Sequence, residues 1–205
     1  MMKKILIDAG HGINTAGKSS PDCALMEWRY NREIAAAIVL HLRYRGYDAE
    51  LVTPEDTDVP LEERVRRINA IALKYGISNT MAISIHVNAA GMGKEWMNAR
   101  GWCAFTFPGH TESDDIAFYL YEAAEKHLAG HKLRMDESDG DPDIEQPFYI
   151  LKHTYCAAVL TENLFMDNRE DCAFLLSDAG RKAIIGLHVD GIVAYLNDAE
   201  PEPFR

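Results

Sequence analysis

The sequence predicts a single α/β domain with a mostly parallel central sheet of about six strands and helices on both faces. Short apolar runs typical of strands alternate with longer amphipathic runs typical of helices. Three of the short runs are apolar without alternation, which is typical of strands covered on both faces. The length of 205 residues favours one core. We expect residues 1–198 to form this domain and residues 199–205, which include two prolines, to form a short tail.

The elements follow from the periodicity in chain order. The six strand candidates are Lys4–Ala9, Ala49–Val52, Thr80–Val87, Trp102–Phe107, Phe148–Leu151 and Ala157–Thr161. Apolar side chains recur at helical spacing in the stretches between them. The predicted helices are Glu27–Arg45, the stretch between Pro60 and Gly76, Ser113–Leu128, Asn168–Leu176 and Asp178–Leu196.

The charge and the apolar runs exclude several classes of protein. The chain has 21 basic and 32 acidic residues, a net charge of −11, which would repel a phosphate backbone, so nucleic acid is not an expected partner. The apolar run after Lys4 is too short for a secretory signal, and no run reaches the length of a membrane span. We therefore expect no membrane partner and a protein that is cytoplasmic as synthesised. The oligomeric state is left open.

The cysteines do not suggest a disulfide scaffold or a metal motif. They are scattered, and none forms a Cys-x-x-Cys pair. We expect buried thiols at Cys23, Cys103, Cys156 and Cys172.

Two histidines are associated with apolar strands and so point to a functional edge of the sheet. His11 follows the first strand between Gly10 and Gly12, and His86 comes directly after the mostly apolar residues 82–85. Ligands bind outside the carboxyl ends of strands in open α/β sheets. Glu27, at the start of the first helix, and Glu162, after the last apolar run, are expected at the same edge.

These residue types suit a catalytic metal. Two imidazoles and one carboxylate form the ligand set of a catalytic zinc site and leave a fourth position open for water. Zinc lowers the pKa of that water to about 7. A second carboxylate can take the proton and deliver it to a leaving amine. The residues therefore predict amide hydrolysis.

Several motifs together resemble one family. They are Asp-Ala-Gly-His-Gly at 8–12, Glu27, the Leu-x-x-Arg at 61–64 with Asn69, Ser-Ile-His-Val-Asn-Ala at 84–89, and Thr-Glu-Asn-Leu-Phe-Met-Asp-Asn at 161–168. In this combination and order the chain resembles the zinc-dependent N-acetylmuramoyl-L-alanine amidases. The motifs run from residue 5 to the final helix, so the resemblance covers nearly the whole chain.

The resemblance implies a peptidoglycan hydrolase. Such an enzyme cuts the amide between the lactyl group of N-acetylmuramic acid and L-alanine, so peptidoglycan or a muropeptide is the implied partner. His11, Glu27 and His86 match the family's ligands for one Zn²⁺ per chain, and Glu162 matches its catalytic glutamate. A protein with this activity and no export signal would reach the cell wall after release or export by another route.

Two further residues are predicted to support the site. Asp8 and Asn88 are expected to orient an imidazole by hydrogen bonding. The chain departs from the family at Ala9, where proline is common, and at residues 163–165, which read Asn-Leu-Phe in place of Gly-Phe-Leu. These departures bear on the pocket wall and not on the ligands.

Two alternative functions stay open at this point. Residues 12–19 match the G-x-x-x-x-G-K-[ST] phosphate loop and follow a strand, although Pro21 disfavours the helix that such a loop requires. A nucleotide-binding protein is therefore one alternative. The other is a module with the same fold that binds peptidoglycan without cutting it.

The stretch 136–145 is strongly acidic, with six acids in ten residues. Read as an EF-hand loop from Asp139, it has Ile144 where glycine is required and Ile150 where glutamate is required. We expect a solvated rim or a substrate-facing lid. His110 and His153 lie near the predicted cleft, and the sequence assigns neither a role.

Overall fold

A computed structural model describes residues 3–138 and 140–199. It contains one six-stranded sheet. The strands are β1 (Lys4–Ala9), β2 (Ala49–Leu51), β3 (Thr80–Asn88), β4 (Cys103–Thr106), β5 (Ile144–Glu145) and β6 (Ala157–Phe165). Their order is β2-β1-β3-β6-β4-β5. A tail was expected at residues 199–205, and residues 200–205 lie outside the described residues.

The helices cover both faces of this sheet. They are α1 (Glu27–Tyr44), α2 (Leu61–Tyr75), α3 (Glu112–His127), α4 (Tyr149–His153), α5 (Arg169–Leu176) and α6 (Asp178–Ala199). Residues of α1, α3, α5 and α6 belong to the larger apolar cluster, and those of α2 and α4 to the smaller one. Only β4 runs antiparallel to its neighbour β6, while the other pairs are parallel. The predicted fold class is confirmed.

Alternation along the strands decides which side chains face the functional site. Ile5 and Ile7 of β1 belong to the larger cluster, whereas Leu6 belongs to the smaller one, because successive side chains of a strand point to opposite faces. By the same alternation, Asp8 points to the side of α2 and α4. His86 pairs in register with Glu162, so these two side chains are neighbours on that face.

The predicted strand at Phe148–Leu151 is wrong. Residues 149–153 form α4, and the edge strand is instead the short β5. A run of four apolar residues fits a strand or one helical turn equally well. Here Ile150 and Leu151 are buried in the smaller cluster beside α2, which the helical turn allows.

Strand β6 is longer than its apolar run suggests. It continues to Phe165, so Glu162 lies within the strand and not beyond its end. Polar residues continue the pairing because β3 also extends past its apolar part, with a register shift between His86 and Asn88. Glu162 therefore has a rigid backbone on both sides.

The cysteine prediction holds for three of the four residues. Cys103, Cys156 and Cys172 are buried, but Cys23 is exposed in the loop before α1. Among the described residues, no helix combines the length and the apolar character that crossing a bilayer requires.

Candidate metal centre and active site

Three predicted ligands converge at the carboxyl edge of the sheet. His11 follows β1, His86 lies near the end of β3, and Glu27 is the first residue of α1. Glu27 Oε1 lies 3.3 Å from His11 Nε2 and 3.3 Å from His86 Nδ1. The two imidazoles stand nearly perpendicular, with ring centroids 5.1 Å apart. One ligand atom from each residue falls within 4.8 Å of the others, a spacing that lets all three share one metal ion.

The Glu27 carboxylate has one satisfied and one unsatisfied oxygen. Oε1 accepts hydrogen bonds from the backbone N–H of Val87 (3.2 Å) and from Asn31 Nδ2 (3.4 Å). Oε2 is buried without a partner, which is costly for a carboxylate oxygen. The imidazole nitrogens and this free carboxylate oxygen fit a divalent cation that prefers nitrogen and oxygen ligands.

The electrostatics keep Glu27 ionised. Burial by itself raises the pKa of this carboxyl, but hydrogen bonds from His11 and His86 and their charge outweigh it and hold the pKa below its ordinary value. Glu27 is 1% exposed. A buried anion beside two imidazoles is a suitable acceptor for a metal cation.

The loop that carries His11 has an unusual backbone. His11 has a φ of 63°, a left-handed conformation that is uncommon for residues other than glycine. Gly10 lies against the His86 ring: a Cβ built on Gly10 would come within 2.2 Å of His86 Cε1. The close approach of β1 and β3 at this point therefore depends on glycine.

Two arginines fix this loop. Arg32 of α1 donates from Nη2 to the His11 carbonyl at 2.8 Å, and Arg64 of α2 donates to the same oxygen at 3.3 Å. Arg64 also donates from Nη1 to the Ala9 carbonyl at 2.6 Å. Arg64 was predicted only as part of a motif, and Arg32 was not predicted, because nothing in the sequence shows that α1 and α2 pack over the loop after β1.

Asp8 and Asn88 do not make the contacts expected of them. Asp8 accepts hydrogen bonds from Arg64 (2.9 and 3.1 Å), Ser84 Oγ (2.7 Å) and Thr53 Oγ1 (3.1 Å). Among the hydrogen bonds of the described residues, neither Asp8 nor Asn88 has an imidazole partner. Asp8 acts on the site indirectly because it holds Arg64, which in turn binds the His11 carbonyl.

Asn88 has a local role at the end of β3. Its Oδ1 accepts a hydrogen bond from the backbone N–H of Ala89 at 2.9 Å, and its carbonyl accepts one from Met166. These bonds shape the turn that follows the strand. Among the hydrogen bonds of the described residues, Asn88 therefore contacts the turn after β3 and not an imidazole.

A cavity of about 450 Å³ opens beside the three ligands. Its lining includes His11, His86, Asp8, Arg64 and Glu162, so polar groups form one wall. A second part of the wall is mostly apolar, and it is formed by residues 59–61 before and at the start of α2 and by residues 148–150 at α4. None of the described residues of the acidic stretch 136–145 lines this cavity, so that stretch is not a lid over it.

Glu162 is a half-buried acid on the polar wall. Its Oε2 is buried without a hydrogen-bond partner. Burial, and to a smaller extent the charge of Glu27, raise the pKa of Glu162 well above its ordinary value, while Lys18 opposes the shift. A carboxyl with a raised pKa holds a proton more readily than an ordinary glutamate does.

The phosphate-loop motif does not adopt the structure that binds phosphates. Residues 12–19 form turns, and Ser19 pairs with Met26 in an isolated bridge. No helix begins at Lys18 or Ser19, since α1 starts at Glu27. A phosphate loop needs a helix N-terminus at that position, so the geometry opposes the nucleotide-binding alternative.

The fold and the site define the class: an α/β protein with a His-Glu-His group suited to a metal ion beside a cavity. The chain belongs to the amidase_3 family, N-acetylmuramoyl-L-alanine amidase, whose model matches residues 5–194. This membership confirms the resemblance that the motifs indicated, and with it a peptidoglycan amidase.

Individual relatives agree with this assignment. An endolysin of Bacillus phage SPP1 is 27% identical over 202 residues, which cover 96% of this chain and 67% of the relative. The N-acetylmuramoyl-L-alanine amidase CwlM of Bacillus licheniformis is 26% identical over 201 residues, or 96% of this chain and 70% of the relative. The crystal structure of an N-acetylmuramoyl-L-alanine amidase from Clostridium difficile 630 shares the fold, with a TM-score of 0.81, 21% identity and coverage of 97% and 99% of the two chains.

Proposed function

We propose that this protein is a zinc-dependent amidase that hydrolyses the bond between N-acetylmuramic acid and L-alanine in peptidoglycan. One observation carries the proposal. The three side chains of a His₂Glu ligand set meet beside the same cavity that Glu162 lines, within a chain of the amidase family.

His11, Glu27 and His86 would hold one zinc ion. Two imidazoles and a carboxylate are the protein ligands of several catalytic zinc sites, and the unpartnered Oε2 of Glu27 supplies an oxygen with no competing hydrogen bond. When bound, zinc supplies Lewis-acid chemistry that polarises a carbonyl and makes water more acidic. The single carboxylate leaves a net positive charge at the site.

Glu162 would act as the general base and then as the general acid. Its side chain faces the cavity next to His86, where a water molecule and the scissile carbonyl must meet. The carboxylate accepts the proton of the attacking water, and the resulting carboxyl delivers it to the leaving nitrogen of L-alanine. The raised pKa of Glu162 favours the uptake of the proton, which is the first of these two transfers.

The polar and apolar parts of the cavity wall should contact different parts of the substrate. The polar wall, with Arg64 and Asp8, lies beside the ligands, while Phe148 and Tyr149 contribute to the apolar wall. Both aromatic side chains are partly exposed, so they are available to contact a sugar ring or an alanine methyl group. We infer that the walls hold the two sides of the scissile amide in place for attack.

The decisive experiment measures zinc content and the release of amino groups from purified peptidoglycan. We expect activity to disappear on chelation and to return on addition of zinc. Glu162→Gln should retain one zinc per chain and lose turnover, whereas Glu125→Gln, which changes an exposed acid on α3, should leave both unchanged. Near-full activity of Glu162→Gln would show that the general-base role is wrong.

The ligand assignment has its own test. His86→Ala should lose the metal, and one zinc per chain in that variant would contradict the assignment. A wild-type protein that binds peptidoglycan but releases no amino groups would instead be a binding module.

The phage endolysin among the relatives supports a lytic role at the cell wall. We propose that residues 1–198 are sufficient for catalysis and that the tail is dispensable. Helix α6 ends at Ala199, so a chain that ends at residue 198 loses only one helical residue and should keep full amidase activity. A large loss of activity in that truncated chain would place a functional element in the tail.

A further inference from the structure

A second group of metal-binding side chains lies outside the cavity. His110, Asp114 and Asp141 each offer one ligand atom within 4.8 Å of the others. They come from three segments: the loop after β4, the first turn of α3 and the acidic stretch before β5. Asp143 lies beside Asp141, and we refer to these four residues as the loop cluster.

Asp143 is the buried member of the loop cluster. It is 1% exposed. Its Oδ2 accepts a hydrogen bond from Thr106 Oγ1, but its Oδ1 is buried with no partner. Burial and the neighbouring carboxyl groups of Asp141 and Asp114 raise the pKa of Asp143 to about 7, and Asp141 Oδ1 is also buried without a partner. Two neighbouring carboxyl groups therefore each keep one oxygen without a protein partner.

The protein supplies little positive charge to these acids. Among the described residues, the ion pairs of Asp141 and Asp143 consist of a single contact, from His110 Nδ1 to Asp141 Oδ2 at 4.0 Å. The His110 side chain is 83% exposed, so solvent weakens that interaction. Neighbouring buried carboxylates without a cation are unfavourable, and such orphaned groups call for a bound species or a shared proton.

Asp114 caps α3 with one carboxylate oxygen and keeps the other oxygen available for a metal ion. Its Oδ2 accepts the backbone N–H of Thr111 in the capping box of α3. The other oxygen, Oδ1, has no protein donor among the hydrogen bonds of the described residues. The capping contact fixes the side chain and leaves that oxygen free for a ligand.

The loop cluster is distinct from the catalytic cavity. Strand β4 runs antiparallel to β6, so the loop after β4 lies toward the amino ends of the parallel strands, whereas His11 and His86 lie at their carboxyl ends. The lining of the cavity includes no member of the loop cluster.

We propose that the loop cluster is a second divalent-cation site, with His110, Asp114 and Asp141 as ligands and the buried Asp143 beside them. Its donors are mostly carboxylate oxygens, which suit Mn²⁺, Mg²⁺ or Ca²⁺ better than a thiolate-preferring metal. A bound cation would fasten the acidic stretch to the first turn of α3 and so hold β5 at the edge of the sheet. Its role is structural and independent of amide hydrolysis.

Mn²⁺ is the appropriate probe because it accepts both carboxylate and imidazole ligands and is detected by electron paramagnetic resonance. The full chain is first loaded with one equivalent of zinc and then titrated with Mn²⁺. We expect one Mn²⁺ per chain with a dissociation constant at or below about 1 mM. If zinc does not occupy the first site, the wild type binds two equivalents, and the loop-cluster variants lose one of them.

The variants separate a built site from diffuse negative charge. Asp141→Asn and Asp143→Asn should weaken Mn²⁺ binding by at least about tenfold, and His110→Ala should weaken it less. Asp136→Asn is the matched control, because it removes one charge from the same stretch outside the cluster. Equal weakening by Asp136→Asn, or the absence of saturable binding in the wild type, would overturn the proposal.

A second readout follows the acidic stretch itself. Bound Mn²⁺ should slow cleavage after Glu137 by a protease specific for acidic residues, and Asp141→Asn should abolish this protection. Asp143→Asn changes a buried residue and could disturb folding. Asp141 and His110 are not fully buried, so their variants should fold and still test the site. Cleavage that is equally fast with and without Mn²⁺ would contradict the fastening role.

Discussion

Replacement of Gly10 by alanine tests how closely the metal ligands must be placed. The new Cβ would lie 2.2 Å from Cε1, 2.4 Å from Nδ1 and 2.6 Å from Nε2 of His86. The imidazole must retreat by about 1.2 Å to restore an ordinary contact of 3.4 Å. A displacement of this size at a reacting centre costs about 100-fold in rate. Because the φ of Gly10 is not in the left-handed region, the effect of alanine there is steric.

The assay combines zinc content, amino-group release and thermal unfolding. We expect Gly10→Ala to bind zinc more weakly and to lose about 100-fold in activity, while the protein stays folded. Gly91→Ala is the control, since its Cβ would meet the flexible Met97 side chain at 3.3 Å. If Gly10→Ala kept stoichiometric zinc and near-full activity, His86 would not be held by the contact that we describe.

Other predictions concern stability. Arg64→Met leaves the buried Asp8 without its ion-pair partner and should lower the free energy of unfolding by about 3–5 kcal/mol. Urea denaturation measures this change. Arg66→Met, which removes an exposed ion pair, should change the free energy of unfolding little. Burial lowers the pKa of His188 from 6.5 to about 4. Between those pH values the unfolded chain binds a proton that the folded chain excludes, so stability should fall as the pH falls through this window, by up to about 1.4 kcal/mol per pH unit. His188→Gln should flatten that dependence, and an unchanged slope would refute the assignment.

The fold class could be predicted because its signals are local. Uninterrupted apolar strands such as β1 are buried on both faces, and the amphipathic stripe of α1 matches its buried side. The edge strand could not be predicted in this way. Ile144 and Glu145 pair with β4 over only two residues, and a pairing so short leaves no periodic signal.

The convergence of His11, Glu27 and His86 could be predicted because three motifs end at one edge of a parallel sheet. The supporting contacts could not, since they depend on how α1 and α2 sit over the loop after β1. Asp8 illustrates the limit. Its place at the end of a strand suggested a contact with an imidazole, but the guanidinium of Arg64 reaches it from α2. Which of two neighbours a buried carboxylate selects is decided by tertiary packing.

The two guanidinium groups that meet on the His11 carbonyl have a consequence for how the enzyme would be assembled. The conformation of this loop is set by bonds within the polypeptide, so its shape does not have to be created by the cation. The apoprotein should therefore keep its native circular dichroism after dialysis against a chelator. Reloading would then be a simple bimolecular event, with no refolding phase.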